Sequence, residues 1–288
     1  MTANRREIVG GALALAAGGP AMAASAPPKT LPGRIVSLNS CLDAMLVHLA
    51  DRSQIAALSH YARDEHASTV ADQARTLPFT WESAEEVIDL RADLVLASLH
   101  SALATRNALK RLHVPVQRFA VPKSVEDSLG QVRKLAKLIG HPDRGEALVA
   151  RIEAAIAAAT PAAGARRLSA LIYQPNGFAA GPGTLVDEMM TRAGFDNVAR
   201  RYGLKTWGNV SLEKLLTDPP QVLLVGEPAP GARSWADRVM THPALKSISG
   251  RMRQVRLPER LLYCGGPVLI EAADAMARAY AQALKEGA

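Results

Sequence analysis

A chain of 288 residues, nearly half of them hydrophobic, is long and apolar enough to build two ordinary domains with real cores. Nothing in it is low-complexity, which excludes a disordered chain. The formal charge of +7 suits an anionic ligand, an acidic surface or plain solubility. The basic residues do not interleave with aromatics in any run, which argues against nucleic acid. Two cysteines do not make a disulfide framework.

In chain order, Arg5 and Arg6 form a positive n-region, Ile8 to Gly19 is apolar, and Ala21-Met22-Ala23 fits a cleavage site. Residues 1–23 therefore read as a signal peptide. The apolar stretch has about a dozen residues where a membrane span needs ~20. The start Asn-Arg-Arg-Glu-Ile-Val leaves the general secretory and twin-arginine routes both open. Removing Arg5, Arg6 and Glu7 takes the formal charge from +7 to +6. No cysteine precedes Cys41, so a lipid-modified N-terminus has no acceptor.

The run Gly33 to Asn39 predicts a buried strand ending in a polar turn, and Leu42 to Leu49 a helix with Leu42, Met45, Leu46 and Leu49 on one face. Ile55–Leu58 is a strand. Ser83 to Leu90 is a short helix, with Ser83 as N-cap and Glu86 three residues on as its capping-box partner. Leu94–Leu99 is a strand, Thr105–Leu112 a helix and Val114–Phe119 a strand. Val125–Ile139 and Asp143–Ala159 are helices without an intervening strand signal.

The order then restarts. Leu168–Tyr173 is a strand ending in the turn Gln174-Pro175-Asn176-Gly177. Thr184–Arg192 is a helix, Ser211–Leu216 a short capped helix, and Val222–Val225 a strand. Pro267 opens a long final helix. The stretch SAEEVIDLRADLVLAS at residue 83 and SLEKLLTDPPQVLLVG at residue 211 are one unit built twice, 128 positions apart. The expected fold class is therefore α/β, with two lobes of mainly parallel sheet covered on both faces. The boundaries are 34–122 for the N-terminal lobe, 123–160 for a helical connector and 166–286 for the C-terminal lobe. A helical connector limits hinge motion more than a Gly/Ser linker would.

Ligands of open α/β sheets bind beyond the carboxyl ends of the strands. In the first lobe those ends carry Asn39, Ser40, Cys41, His60, Tyr61, Arg63 and His100. In the second they carry Tyr173, Gln174, Asn176, Phe178, Glu227, Tyr263 and Cys264. Trp81 and Trp207 fall just before the two Ser-x-Glu helices. At least six of the chain's twelve aromatics are in this set, which argues for a cleft that grips a large, flat or apolar ligand. The Gly-rich turns at Gly181-Pro182-Gly183 and Gly265-Gly266-Pro267 open helices at the same rim and suit a carboxylate or phosphate. The P-loop, nucleophile-elbow and zincin motifs are absent. The seven histidines are scattered, with no metal-ligand spacing. A cysteine-dependent exported enzyme, with Cys41 or Cys264 as nucleophile near His60 or His100, is the alternative reading.

RIVSLN at 34–39, the SAEEVIDLRADLVLA unit, the helical connector, WGNVSLEKLL, HPAL at 242–245 and YCGGP before the last helix resemble one family. It is that of the periplasmic substrate-binding proteins of ABC importers for vitamin B12 and ferric chelates, over about residues 33–286. The resemblance implies two α/β lobes bridged by a long helix and a small-molecule metal chelate clamped between them. That cargo is of corrinoid, ferric-siderophore or heme type, carrying cobalt or iron. It implies no enzymatic activity and no cofactor of the protein's own. Its partners would be an ABC permease and ATPase, with the receptor monomeric in the periplasm and not inserted in the membrane. A sensor or carrier without its own permease is the variant of that reading. Glu85 and Glu213 match the permease-docking acids, and Tyr61, Trp81, Phe178 and Trp207 match aromatic pocket positions. Asn39-Ser40-Cys41 and YCGGP depart from the family pattern. Two lobes clamping so large a ligand should hold Cys41 and Cys264 farther apart than the ~7 Å that pairing requires. They are therefore expected as free thiols facing the cleft, available to a soft or borderline metal in the cargo.

Overall fold

Buried aliphatic runs alternate with amphipathic stretches through most of the chain, and in the computed structural model they form two parallel sheets. It describes residues 31–226 and 250–285. The segment expected as a signal peptide, Glu227 and HPAL at 242–245 lie outside the described residues. β1 (Ile35–Ser37), α1 (Ser40–Leu49), β2 (Ile55–Ser59), α2 (Ala71–Ala74) and β3 (Phe79–Thr80) open the first half. α3 (Ala84–Asp89), β4 (Leu94–Ser98), α4 (Leu103–Arg111) and β5 (Val116–Phe119) complete it. Two helices follow, α5 (Val125–Leu138) and α6 (Pro142–Ala159). β6 (Leu168–Tyr173), β7 (Phe178–Ala179), α7 (Leu185–Arg192), β8 (Phe195–Asn197) and β9 (Gly208–Asn209) begin the second half. α8 (Leu212–Thr217), β10 (Val222–Gly226), β11 (Arg253–Leu257) and α9 (Val268–Lys285) end it.

The first sheet has five parallel strands in the order β3-β2-β1-β4-β5, and the second four in the order β11-β10-β6-β8. Both reverse direction of winding beside their founding strand, β1 in one and β6 in the other. Such a switch point opens a crevice at the carboxyl ends. Both faces of each sheet are covered, so the strands read as continuous hydrophobic runs rather than alternating ones. Leu168, Ala170 and Ile172 enter one core while Leu171 and Tyr173 enter another. In the first sheet Ile35 and Val36 divide in the same way.

The repeated unit is the same device in both halves. Ser83 caps α3, and the Glu86 side chain bonds back to Ser83 N–H. Ser211 caps α8 alone, because Lys214 stands where a capping box needs an acid. Of each aliphatic pair only the first is core. Val87 and Leu215 are fully buried, whereas Ile88 is 42% exposed.

The halves are not independent. The largest core cluster runs without a break from Ile35 through α1, α5 and α6 to Ala283. α6 packs on both α5 and α9, so the connector is the spine of a shared core. Val125 N–H donates to Glu188 of α7 at 2.8 Å, and Gly266 N–H donates to Ser128 Oγ at 2.6 Å. A side chain at Gly265 would meet Ser128 Oγ at 2.5 Å, and one at Gly266, whose φ is +63°, would meet Met45 at 2.9 Å. Glycines are required because this loop lies directly on α1 and α5.

At that seam the expectation of free thiols is overturned. Cys41 and Cys264 form a disulfide, with Cα atoms 5.1 Å apart. They lie at the joint of the two halves, where the loop before α9 presses on the start of α1, not across an open mouth. Free cleft thiols, a thiolate ligand for cargo metal and a cysteine nucleophile all fall with this pairing.

Asp43, in the first turn of α1, is fully buried. Its carboxylate accepts from Ser59 N–H at 3.1 Å and Ser59 Oγ at 2.5 Å, tying α1 to the end of β2. Burial pushes its pKa up to about 7, against hydrogen bonds from Ser37 and Ser59 that pull it down. The folded protein therefore keeps a proton that the unfolded chain releases near pH 4, and stability falls as pH rises from about 4 to 7.

Two outcomes follow. Ellman titration of the unfolded, unreduced protein should find no thiol. Cys41→Ser/Cys264→Ser should lose roughly 4–5 kcal/mol, a fall in Tm of roughly 10–15 °C. Two titratable thiols in fresh monomer would refute the crosslink. Asp43→Asn should remove most of a linked change of roughly 4 kcal/mol between pH 4 and 7. Wild type should then lose stability relative to the variant as pH rises, and parallel thermal-melt curves would show that Asp43 ionises normally.

Candidate functional site

A cavity of about 670 Å³ opens at the carboxyl ends of the strands, between the halves. From the first half it is lined by Asn39 and Cys41 after β1, Ser98 at the end of β4 and His100 after it, and Phe119 and Ala120 at the end of β5. From the second half it is lined by Phe178, Trp207 and Tyr263. Asn39 and Ser98 sit at the switch point, where β1 meets β4. Among the described residues its lining carries no Asp, Glu, Lys or Arg.

The second half supplies a wall of three rings. Phe178 and Trp207 stack with centroids 5.2 Å apart and planes 9° off parallel, and Tyr263 lies 6.4 Å from Trp207. The two-residue ribbon β7–β9 sets this up. Phe178 pairs with Asn209 and Ala179 with Gly208, which places Trp207 beside Phe178. Gly177 makes the ribbon's approach feasible, since its φ is +73° and a Cβ there would stand 2.3 Å from Val210 O. Tyr263 Oη donates to Glu259 at 2.9 Å and also contacts the Gln174 amide. Burial, then the Glu259 carboxylate, push its pKa well up, so the phenol stays neutral.

The first half carries a second aromatic group farther along the rim, at the ends of β2 and β3. His60 sits 3.8 Å from Tyr61 and 4.6 Å from Trp81, and Trp81 meets Phe79 edge-on. Tyr61 is 47% and Trp81 66% exposed. Glu86 shapes this loop by accepting from Trp81 N–H, Ser83 N–H, Ser83 Oγ and Thr80 Oγ1. Burial opposes the charge, but these bonds outweigh it and hold Glu86 below the usual carboxylate range. Glu82 takes a left-handed φ of 70° between Trp81 and the cap. Its Oε1 and His60 Nδ1 are buried without hydrogen-bond partners, 3.6 Å apart. Burial raises the Glu82 pKa, and His60 offsets part of that.

Of the residues expected at the site, Asn39, Cys41, His100, Phe178, Trp207 and Tyr263 meet around the cavity, and His60, Tyr61 and Trp81 form the separate rim group. Three are corrected. Tyr173 is 1% exposed, and its hydroxyl donates to Val210 O inside the core. Arg63 donates to Ala74 O and Leu77 O and covers the Phe79 ring at 4.2 Å, bracing the α2 loop. Cys264 is buried in the disulfide. Asn39 Oδ1 caps α1 through Cys41 N–H and Leu42 N–H, which leaves its amide N–H groups for a ligand. The side chain of Asn176 lies outside the described residues. Sequence reasoning missed Phe119, Val121 and Gln131 of the cavity wall, which sit at and after β5 and on α5. Among the described residues no group of three or more His, Cys, Asp or Glu side chains is placed to hold a metal ion.

Glu85 and Glu213 both occupy the second position of a capped helix, on the two halves, and both are exposed. Neither carboxylate makes an ion pair among the described residues.

No protein of curated function matches this sequence. Among solved structures, the periplasmic heme-binding protein RhuT from Roseiflexus sp. RS-1 is similar with 25% identity and a TM-score of 0.68, over 86% of this chain and 98% of that one. An ABC-type Fe3+-hydroxamate transport protein from Saccharomonospora viridis shares 20% identity with a TM-score of 0.67, over 87% and 93%. The periplasmic vitamin B12 binding protein BtuF of Vibrio cholerae shares 16% identity with a TM-score of 0.62, over 88% and 98%. No helix of the described residues is long and apolar enough to cross a membrane. Residues 35–251 match the periplasmic binding protein family, and the chain belongs to that family.

Proposed function

We propose that this protein is the receptor of an ABC importer for a flat, weakly charged metal chelate of the corrin or heme class. The observation that carries the cargo class is the three-ring wall of Phe178, Trp207 and Tyr263, facing polar but uncharged strand ends across the cavity. Aromatic faces grip a macrocycle by area, and Asn39, Ser98 and His100 offer a few orienting hydrogen bonds. A ferric siderophore wraps its iron octahedrally and offers no flat face to this wall, and a polyanionic one would also gain no counter-charge from the described lining. The receptor works as a monomer in the periplasm. It brings its cargo to a permease and ATPase, with Glu85 and Glu213 engaging cations on the permease.

Titration with hemin, cyanocobalamin and a ferric trihydroxamate, read by tryptophan quenching and absorbance, tests the cargo. One of the two macrocycles should bind more tightly than the hydroxamate. Trp207→Ala should weaken that binding by roughly 1–3 kcal/mol while the fold survives. Preference for the hydroxamate would overturn the cargo class.

Glu85→Ala/Glu213→Ala should abolish uptake and leave cargo affinity unchanged. The stability cost should stay under ~1 kcal/mol per site, because exposed first-turn acids contribute little. Normal uptake by the double variant would remove the docking assignment.

A further inference from the structure

A second cavity, of about 550 Å³, lies on the outer flank of the first half, between α4 and the edge strand β5. Arg106, Lys110, His113 and Arg118 line it together with Leu103 and Val116, and no acid does. Several arginines elsewhere meet a carboxylate, among them Arg133, Arg144, Arg167, Arg192, Arg201 and Arg278, and others do not. Among the described residues none of the groove's three cations, Arg106, Lys110 and Arg118, does. Two of them have ordinary explanations. Lys110 complements the carboxyl end of α4, and Arg118 on an edge strand discourages strand pairing. Arg106 has neither. It stands inside α4, donates to Leu99 O at 3.1 Å, and its Nε is enclosed with no acceptor.

The cations come from both walls of the groove: Arg106 and Lys110 stand one turn, ~6 Å, apart on α4, and Arg118 stands on β5. Apolar side chains stand at the rim end, with Leu103 63% and Leu99 46% exposed. Leucines beside a cation cluster are the composition of a surface that enters a headgroup layer. The rim end is also where α3 starts: Thr105 Oγ1 of α4 donates to Glu82 O at 3.1 Å, three residues before Glu85.

We infer that the α4–β5 groove rests on the anionic phospholipid surface around the permease. Arg106, Lys110 and Arg118 would engage lipid phosphates, with Leu103 inserted among the headgroups. The inference rests on the proposed docking through Glu85, which would bring the first turns of α3 and α4 to the level of the bilayer.

The test is flotation of the whole purified protein with vesicles of phosphatidylcholine alone, or with one quarter phosphatidylglycerol, at low and high salt. Binding is expected only to the anionic vesicles and only at low salt. Arg106→Gln/Lys110→Gln/Arg118→Gln should weaken it about 100-fold, at about fivefold per cation. Leu103→Ser should weaken it severalfold without changing the salt dependence. Arg118→Gln alone, at an exposed edge, gives the fivefold step if the triple variant does not fold. Equal binding to both vesicles, no binding to either, or an unaffected triple variant would overturn the inference. So would displacement from vesicles by inorganic phosphate at matched ionic strength, which would mark a free-anion site. Glu85→Ala/Glu213→Ala should leave vesicle binding intact, so a failed docking assignment and a failed membrane surface read out separately.

Discussion

The disulfide between Cys41 and Cys264, with the glycine loop beside it, is the constraint on which the rest of the structure depends. The two cysteines are 223 positions apart, so the connector and every strand of the two sheets except β1 lie inside one covalent loop. The bond fastens the start of α1 to the loop that enters α9, at the wall of the ligand cavity. Gly265 and Gly266 let that loop touch α1 and α5 with no side chain between. A crosslink there, added to a core continuous through α5, α6 and α9, leaves little freedom for the halves to swing apart. Such a receptor takes its cargo by small adjustments at the rim, with the cleft geometry largely set beforehand.

That pre-set geometry makes the two aromatic groups unlike in kind. The wall of Phe178, Trp207 and Tyr263 is fixed by a backbone ribbon and by a phenol bonded to Glu259. The Tyr61–His60–Trp81 group is exposed, and a polar frame holds it instead. Glu86 takes four hydrogen bonds, Glu82 sits at a strained φ, and a buried imidazole nitrogen faces a buried carboxylate without a bond. Strain and unmade bonds of this kind cost stability and persist where function uses them. With lobe swing restricted, the adjustable side of the site is this N-terminal rim.

Much of the frame was legible in the sequence, because periodicity and capping are local signals. The Ser83–Glu86 capping box, β6 at Leu168–Tyr173 and the two connector helices stand where the pattern put them. The elements it did not give are those without a local signature. β7 and β9 have two residues each and exist only through each other. β8 and β11 are edge strands with alternating exposure, and α2 is a single turn held by Arg63. The cysteine pairing was missed for a different reason. The strand-end rule places all such ends on one open rim, whereas β1 and the loop before α9 end at its closed corner. The signal was Cys264-Gly265-Gly266 itself: two adjacent glycines beside a cysteine mark a close backbone approach as readily as a helix start. Tyr173 failed similarly, since the last residue of a strand points either into the cleft or into the core, and the period alone does not say which.

The repeated acids show how a structural explanation can be separated from a functional one. An acid in the first turn of a helix needs no special reason where it caps or complements the dipole. In α3, however, Ser83 and Glu86 already satisfy the cap, and Glu85 adds no bond to it. In α8, Ser211 caps through Lys214 N–H, and Glu213 again stands outside the arrangement. The two helices share the Ser cap but not the capping-box acid, yet each carries an exposed carboxylate at its second position that makes no ion pair among the described residues. The cap is complete without that acid in both halves. What the halves share beyond the cap is the outward charge, and a charge that local structure does not use is free to meet a partner.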